Sequence, residues 1–525
     1  MTHDTIVQKL WSLCDVLRDD GVNYSKYVTE LALLLFLKMN HEQNSNVLPK
    51  GYRWENLTEL DGIDLLNFYR KLLLVLGTGK DSVTNEKDGS IEEITIHTNH
   101  LVKAIYTDAN TSIREPRHLS QLIRDLDKID WFSVEKDDLG NMYEGLLERN
   151  ASETKSGAGQ YFTPRPLINS MVRLMKPQVG ELIQDPAAGT AGFLIAADQY
   201  IKNHTDNLYD LDENKRMFQR KKALVGVELV PDTRRLALMN CLLHDIEGED
   251  DGAILLGNTL GSVGANLSRA DLILANPPFG TARGGEASIT RDDFTHVTSN
   301  KQLVFLQHIY RNLKDGGRAA VVVPDNVLFE DGIGADIRRD LMEKCDLHTI
   351  LRLPTGIFYA QGVKTNVLFF TKGKPTENVW VYDLRTNMPS FGKRTPFTES
   401  YLAPFETIYG DDPYGKSKRT EGEWSSWIKT ENSDTEDTIE NSRWRVFTRD
   451  YIRDEKKDSL DISWLRDHDA IQSENLPDPE ILALEAMSEL TDVFGALDQL
   501  LNDLGAGDEA NAQKTLLVDL VNEAK

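Results

Sequence analysis

A short apolar run that ends in two prolines constrains the fold of this chain more than any other feature. Residues 272–275 read Leu-Ile-Leu-Ala, and the chain continues Asn276-Pro277-Pro278-Phe279. Four apolar residues in a row suit a strand that is buried on both faces. Consecutive prolines cannot extend a hydrogen-bonded ladder, so the chain must leave the sheet here. Because open parallel α/β sheets bind ligands at the carboxyl ends of their strands, we expect a ligand site at the Asn-Pro-Pro-Phe turn (residues 276–279).

The residue types of this turn suit the methylation of an amine whose lone pair is delocalised, as in adenine. Such a nitrogen is a poor nucleophile because its lone pair is conjugated with the ring. The Asn276 side-chain oxygen and the Pro277 carbonyl could accept its two hydrogens, and Pro278 helps to hold that carbonyl in place. Phe279 could stack on a base that is flipped out of a duplex. An ordinary strand-to-loop turn is the alternative interpretation, since Asn-Pro is common in turns.

A second candidate site lies upstream, where an apolar segment leads into the small-residue turn (residues 185–192). This turn reads Asp185-Pro-Ala-Ala-Gly189-Thr190-Ala191-Gly192. A strand, a small-residue turn and a helix form a corner that can bind a nucleotide, and Asp185 could hold a ligand ammonium. A tight strand-to-helix connection explains the pattern about as well. Because Ala191 carries a Cβ, we expect it to avoid a positive φ angle.

Further segments extend the alternation of strands and helices. The strand near residues 223–228 ends in Glu228, which could bind two ribose hydroxyls or instead cap the helix that begins at Pro231. Asn258 follows another short strand, at a turn where an adenine ring could be bound. The remaining pattern consists of strands at 254–256, 319–323 and 366–370 and a helix at 304–313. The predicted fold class is α/β, with a doubly wound parallel sheet.

Taken together, these motifs resemble those of the amino-methyltransferases that depend on S-adenosylmethionine. Further stretches narrow this resemblance, namely Tyr143-Glu144-Gly145-Leu146-Leu147, Gly159-Gln160-Tyr161-Phe162-Thr163-Pro164-Arg165, Gly316-Gly317-Arg318-Ala319-Ala320-Val321-Val322-Val323-Pro324 and Leu353-Pro354-Thr355-Gly356-Ile357-Phe358. With these stretches, the chain is similar to the modification (M) subunits of type I restriction-modification systems, in the K-type branch found in enteric bacteria.

The resemblance implies adenine-N6 methylation of DNA with S-adenosylmethionine as the donor. It places residues 276–279 at the target adenine, Glu228 at the donor ribose and residues 190–192 near the donor's methionine end. It also implies a wrap around the donor by Gln160, Tyr161, Phe162, Thr163, Pro164 and Arg165. Related enzymes often have Cys-Gly-Thr-Gly-Gly at 188–192 and Asp at position 258, and this chain departs from both patterns.

The charge of the chain indicates that another protein chooses the DNA sequence. The net charge is −25, and an acidic body repels the duplex at long range. The sequence shows no basic block, helix-turn-helix signature or zinc finger. This agrees with the family, in which a specificity (S) subunit carries two M subunits and a restriction (R) subunit completes the complex. Arg283, Arg291 and Lys301 could line a cleft around the flipped base, or could belong to a surface loop.

Two other functions compete with DNA methylation. Asn-Pro-Pro-aromatic sites also occur in enzymes that methylate a protein glutamine amide, where the same delocalised lone pair has to be overcome. A scaffold that binds the donor without turnover is the other possibility. The extra helical regions and Phe279, where the glutamine enzymes favour Tyr, argue against the first. The intact turn at 276–279 together with Glu228 argues against the second.

The chain is expected to divide into three domains. Residues 1–155 show helical patterns, and they form either a lid over DNA, as the family implies, or a rigid packing partner. Residues 156–400 hold the methyltransferase motifs. Residues 401–525 contain a polar, acidic stretch at 430–442, which is interpreted as a linker or a disordered insertion. They end in a helical arm whose seam suits a partner's helices or an intramolecular hairpin. The seam consists of Met487, Leu490, Phe494, Leu497, Leu501 and Leu504.

Cysteine use and the N-terminus favour a cytoplasmic protein. Cys14, Cys241 and Cys345 are too scattered for a disulfide framework, which fits a reducing compartment. The first residues lack the pattern of a signal peptide, and the apolar run at 31–37 is too short to span a bilayer. We therefore expect no membrane association, and we expect no metal site.

Overall fold

The fold was analysed on a computed structural model of the chain. The structure describes residues 3–22, 26–43, 46–84, 91–129, 131, 143, 145–146, 163–280, 289, 291–358, 363–389, 391–392, 395–429 and 436–465. The chain separates into two compact units, Met1–Leu465 and Arg466–Lys525. All of the described residues belong to the first unit.

Helices and strands are numbered here in chain order over the described residues. The helices are α1 His3–Ser12, α2 Cys14–Asp19, α3 Tyr27–Glu42, α4 Trp54–Thr58, α5 Gly62–Thr78, α6 His100–Tyr106, α7 Pro116–Asp127, α8 Arg165–Met175, α9 Gly192–Asn203, α10 Glu213–Lys221, α11 Pro231–Leu243, α12 Ser262–Ala265, α13 Lys301–Asn312, α14 Asp325–Phe329, α15 Ile333–Lys344, α16 Ala403–Tyr409 and α17 Arg449–Asp454. The strands are β1 Lys80–Thr84, β2 Ile91–Thr95, β3 Ile183–Asp185, β4 Leu224–Glu228, β5 Ile254–Leu256, β6 Ala270–Ala275, β7 Leu313–Pro324, β8 Cys345–Arg352, β9 Thr365–Lys372, β10 Asn378–Asp383 and β11 Trp444–Thr448.

A nine-stranded sheet forms the centre of the fold. Its strand order is β11-β10-β8-β9-β7-β6-β3-β4-β5. β9 runs antiparallel to both β7 and β8, and β11 runs antiparallel to β10, whereas the remaining pairs are parallel. The predicted doubly wound α/β sheet is therefore confirmed as a mostly parallel sheet. The prediction of a parallel strand at 366–370 was wrong in direction, because β8 pairs with β9 directly and no helix among the described residues crosses between them.

The strand order creates a crevice at the carboxyl end of β3. From β3 the chain moves outward to β4 and β5, and it then returns to place β6 on the other side of β3. Ligands of open α/β sheets bind at such a switch point. β3 is buried throughout, and β6 is buried apart from one partly exposed residue, which accounts for their continuous apolar sequences.

The N-terminal helices share one hydrophobic core with the sheet. A single cluster of buried side chains extends from Ile6 to Trp444. On α11, the guanidinium of Arg235 donates to the carbonyls of Ile105 (2.8 Å) and Thr107 (3.0 Å). This continuity favours the rigid packing partner over a separately moving lid. The same region also contains the antiparallel hairpin of β1 and β2, in addition to the predicted helices.

The sheet continues past residue 400 through its edge strand β11. The described part of the predicted polar linker, residues 436–442, forms a turn that ends at the buried Ser442. The division at residues 155 and 400 stays a prediction. The C-terminal seam from Met487 to Leu504 lies outside the described residues, as does the stretch at 150–159. No helix in the described part of the chain is both long and apolar enough to cross a membrane.

Candidate functional site

The small-residue turn connects β3 to α9 and has a strained backbone. Gly189 has a φ angle of 53° and Ala191 has a φ angle of 70°. The expectation for Ala191 was therefore wrong. Its amide donates to the Ala188 carbonyl (2.8 Å), its carbonyl begins α9, and its side chain is fully buried, so the surrounding contacts outweigh a conformational cost of about 1 kcal/mol. The side-chain amide of Asn240 on α11 donates to the Thr190 carbonyl (3.0 Å), and this bond stabilises the turn.

Glu228, the last residue of β4, is bonded to both neighbouring loops. Its Oε2 accepts from the Gly189 amide (3.1 Å), and its Oε1 accepts from the amide of Val230, the residue that precedes α11 (2.7 Å). Glu228 therefore lies beside the small-residue turn. It bonds the amide of the N-cap residue Val230, and the start of α11 has no side-chain cap. Since each carboxylate oxygen has two acceptor sites, Glu228 can still accept from ligand hydroxyls.

Two acidic side chains, Asp185 and Glu228, lie close together at this crevice. Burial and the nearby charge of Glu228 raise the pKa of Asp185 to about 7, although the bond from the Ala187 amide acts to lower it. Burial also raises the pKa of Glu228. Among the described residues, no Lys, Arg or His forms an ion pair with either carboxylate. The crevice therefore suits a ligand that brings its own positive charge.

A third loop, after β5, closes onto the same crevice. The Gly257 amide donates to the Glu228 carbonyl (3.0 Å), and Asn258 Oδ1 accepts from the Leu260 amide (2.9 Å). Thr259 Oγ1 donates to the Pro186 carbonyl of the small-residue turn (2.5 Å). Asn258 therefore lies next to the small-residue turn, and its side-chain oxygen stabilises the turn that follows β5.

The Asn-Pro-Pro-Phe turn follows β6, the strand beside β3. Asn276 Nδ2 donates to Oγ1 of Thr163 (2.9 Å), and this bond directs the amide of the catalytic candidate. Thr163 is buried and lies just before α8, where Pro164 is the N-cap residue and Arg165 the first helical residue. The carbonyl of Gly280, the next residue after the turn, accepts from the Lys301 amide at the start of α13 (3.3 Å).

Phe358 is an aromatic neighbour of Phe279, and the sequence motifs did not assign it a role. The rings of Phe279 and Phe358 lie 6.3 Å apart at 69°, in an edge-to-face arrangement. Phe358 is buried and ends the segment 353–358 that follows β8. Gly356 in this segment has a φ angle of 82°, and a Cβ there would lie 2.2 Å from the Phe391 carbonyl oxygen. The motif Leu-Pro-Thr-Gly-Ile-Phe could have indicated a role for Phe358. It follows an apolar strand and ends in an aromatic residue, near the carboxyl edge of the sheet where the ligand site was expected.

Arg291 does not line an open cleft. It forms two bonds to the Asp293 carboxylate (2.8 and 2.6 Å) and donates to Nδ1 of His308 (2.7 Å), and only 6% of its side chain is exposed. Burial and the Arg291 charge lower the pKa of His308 to about 3, so this imidazole is neutral and can accept. The expectation for Arg291 was wrong because a buried guanidinium requires such partners. Lys301 is half-buried, and Arg283 lies outside the described residues.

The structure thus brings most of the expected site residues to one edge of the sheet. Asp185 and Glu228 lie at the ends of β3 and β4, and Asn276 follows β6. Gln160, Tyr161 and Phe162 lie outside the described residues. The arrangement combines an acidic crevice with a side-chain amide, a proline carbonyl and an aromatic ring. It can hold an amino group next to a bound donor.

Comparisons with known proteins agree with this chemistry. The family model "N-6 DNA Methylase" matches residues 134–458, and the model "Type I restriction enzyme methylase subunit, C-terminal domain" matches residues 476–519. The StySPI methylase subunit of Salmonella potsdam is 58% identical, and the EcoKI methylase subunit of Escherichia coli is 56% identical, each over the full length of both chains.

Solved structures that resemble this chain also come from type I restriction-modification systems. The crystal structure of the EcoKI M protein shares 53% identity and a TM-score of 0.56, covering 98% of this chain and 99% of that one. A subunit from a type I restriction-modification complex shares 27% identity and a TM-score of 0.66, covering 96% and 99%. The chain belongs to the methylase subunits of type I restriction enzymes, and it is an adenine-specific DNA methyltransferase. These relatives support DNA methylation over the glutamine-amide alternative.

Proposed function

We propose that residues 185–192 and Glu228 bind S-adenosylmethionine while residues 276–279 hold the target adenine. The observation that supports this assignment most directly is the position of Asn276. It follows β6, the strand hydrogen-bonded to β3, and Asp185 ends β3. The two halves of the reaction would then meet at the switch point of the sheet.

The donor side suits S-adenosylmethionine by charge. When bound, this molecule supplies a methyl group on a positively charged sulfur, and it also carries an ammonium group and a ribose. Asp185 is the group we assign to the ammonium, since its carboxylate needs a cation to be stable in a buried position. Glu228 is assigned to the ribose hydroxyls, and the turn after β5, with Asn258, to the adenine ring. Residues 160–165 would cover the donor from outside the sheet.

The target side would prepare the adenine amine for attack. The Asn276 Oδ1 and the Pro277 carbonyl would accept its two hydrogens and favour a pyramidal nitrogen whose lone pair faces the methyl group. Phe279 would pack on the base, and Phe358 would form a second wall of the same pocket. Because the methyl group is already activated, transfer would be an in-line displacement and the amine proton could leave late without a strong general base.

The partners follow from charge and from the family. The net charge of −25 makes independent reading of DNA unfavourable. We infer that a specificity subunit selects the DNA sequence and carries two copies of this chain, and that a restriction subunit joins the complete assembly. The C-terminal region at 476–519 is the segment we assign to docking on partner helices.

Alanine substitutions at the Asn-Pro-Pro-Phe turn test the division of roles. Asn276→Ala and Phe279→Ala should each lower kcat by at least about 100-fold, because each removes a group that acts on the target amine or base. The Kd for S-adenosylmethionine should stay unchanged in a titration of the same preparations. Asn441→Ala is a matched control, since Asn441 accepts from the Thr438 amide (2.7 Å) just before β11, the edge strand farthest from β3 on the β6 side of the order β11-β10-β8-β9-β7-β6-β3. A donor affinity that falls as far as activity would contradict the assignment.

A further inference from the structure

Arg385 lies two residues after β10, and its guanidinium is held by several hydrogen bonds. Its guanidinium forms a two-pronged ion pair with the carboxylate of Asp325 (2.8 and 2.9 Å). Its Nε donates to the carbonyl of Leu353 (3.0 Å), and its Nη2 donates to the carbonyl of Thr365 (2.7 Å). Only 9% of the side chain is exposed. A buried cation with this many acceptors has a fixed orientation.

These contacts join three strand ends at the edge of the sheet that holds the site. Asp325 directly follows β7, which pairs with β6, the strand before Asn276. Leu353 directly follows β8 and opens the segment 353–358, and Thr365 begins β9. The Leu353 amide donates to the same Thr365 carbonyl (3.0 Å). Arg385 therefore ties the base of the segment that ends in Phe358 to the strand beside β6.

We propose that Arg385 is a positioning residue for the adenine pocket, which acts by holding the segment 353–358 so that Phe358 lies across Phe279. This proposal rests on the proposed function, in which both rings contact the flipped base. Further along the same segment, the Phe391 amide donates to the Thr355 carbonyl (3.4 Å). The planar guanidinium of Arg385 is required for this set of bonds. The single ammonium group of a lysine could not bond both oxygens of Asp325 and two separated carbonyls at once.

The Arg385→Lys variant tests this role in the full chain assembled with its specificity subunit. A duplex with 2-aminopurine at the methylated position reports base flipping by its fluorescence. We expect the fluorescence change on binding to be largely lost, and kcat/KM for DNA to fall by about 10- to 100-fold, because a displacement of about 1 Å can have that effect. The Kd for S-adenosylmethionine should stay the same. Among the described residues, the Arg385 side chain bonds Asp325, Leu353, Thr365 and Asn366, and none of these is assigned to the donor.

Arg443→Lys is the matched control. Arg443 is also largely enclosed, and it donates to the carbonyls of Asp383 (2.9 Å) and Thr386 (2.8 Å) beside the same end of β10. Among the described residues, its side chain forms no hydrogen bond with the segment 353–358. Both variants should lower the melting temperature, but only Arg385→Lys should change base flipping. Equal base flipping and kcat/KM in the two variants would overturn the proposal and leave Arg385 with a structural role.

A double-variant cycle separates this inference from the function on which it rests. If Arg385 acts through Phe358, then Arg385→Lys combined with Phe358→Ala should be no worse than Phe358→Ala alone. Additive losses would contradict the proposal. A Phe358→Ala protein with normal base flipping would instead refute the proposed role of Phe358. Asp325→Asn provides the same test if Arg385→Lys fails to fold, since it keeps the side-chain shape but removes the charge that anchors Arg385.

Discussion

At the scale of single residues, Asp185 carries the clearest physical signature of a ligand site. Its carboxyl group is buried at the end of β3, and its pKa is raised to about 7 by burial. A group with a raised pKa favours the protonated folded state, so it lowers stability as pH rises from about 4 through 7. A bound ammonium would reverse this effect by stabilising the charged carboxylate.

Donor binding should therefore depend on pH through Asp185. Between pH 8 and pH 6 the Kd for S-adenosylmethionine should rise by about 10-fold, since the carboxyl group must lose its proton before it can hold a cation. Asp185→Asn should weaken binding at pH 8 and flatten the pH profile. In the absence of donor it should raise the free energy of unfolding at pH 8. Titration calorimetry and urea denaturation at the two pH values measure both effects, and a profile that is unchanged in Asp185→Asn would refute the assignment.

Residue-level prediction from the sequence succeeded where chemistry determined the residue type. Asp185, Glu228 and Asn276 were all found at the carboxyl edge, since each ends or follows a strand whose apolar sequence was clear. Ala191 and Arg291 were misjudged because their conformations depend on contacts from distant segments, such as α11 and His308. Phe358 was assigned no role because its proximity to Phe279 arises only when β8 and β6 share a sheet.

At the scale of elements, the close contact between β4 and the small-residue turn links strand packing to donor binding. Gly226 lies in the middle of β4, and an added Cβ would be 2.8 Å from the Ala188 Cβ and 2.7 Å from Ile254 Cδ1. The first contact involves a short side chain that cannot rotate away. The strand can therefore keep Glu228 against the turn only with glycine at position 226.

Gly226→Ala should consequently affect stability and donor binding together. We expect a loss of about 1–3 kcal/mol in the free energy of unfolding, which is typical of overpacking, and a weaker affinity for S-adenosylmethionine. Gly392→Ala is a suitable control, because a Cβ at Gly392 would meet nothing within 4 Å. Denaturation and donor titration on both variants provide the measurement. Normal donor affinity in a destabilised Gly226→Ala protein would show that the turn does not depend on this packing.

The elements themselves were largely predictable, whereas their directions were not. The strands at β4, β5 and β6 and the helix α13 lie within a few residues of the sequence prediction, because their apolar patterns are strong. The reversal of β9 could not be read from its sequence, since a buried strand is apolar in either direction. The hairpin of β1 and β2 was missed because its second strand is exposed and carries charged residues.

At the scale of the whole molecule, the acidic charge and the shared core limit how the chain can act. The N-terminal helices pack into the same core as the sheet, and Arg235 ties α11 to the region after α6. The described part of the chain therefore packs the N-terminal helices and the sheet around one shared core. With a net charge of −25, the full chain gains little affinity from phosphate contacts. Selection of a DNA sequence then has to come from a partner.

Mapping N6-methyladenine across the genome of a host without DNA methylation tests this account most directly. The chain is expressed with the products of its neighbouring genes, alone, and as the Asn276→Ala variant. We predict methylation at a split, two-part sequence that requires a neighbouring gene and disappears in the variant. Methylation by the chain alone would contradict the inference from charge. No methyladenine from the complete locus, despite donor binding, would contradict the assignment of residues 276–279 to adenine.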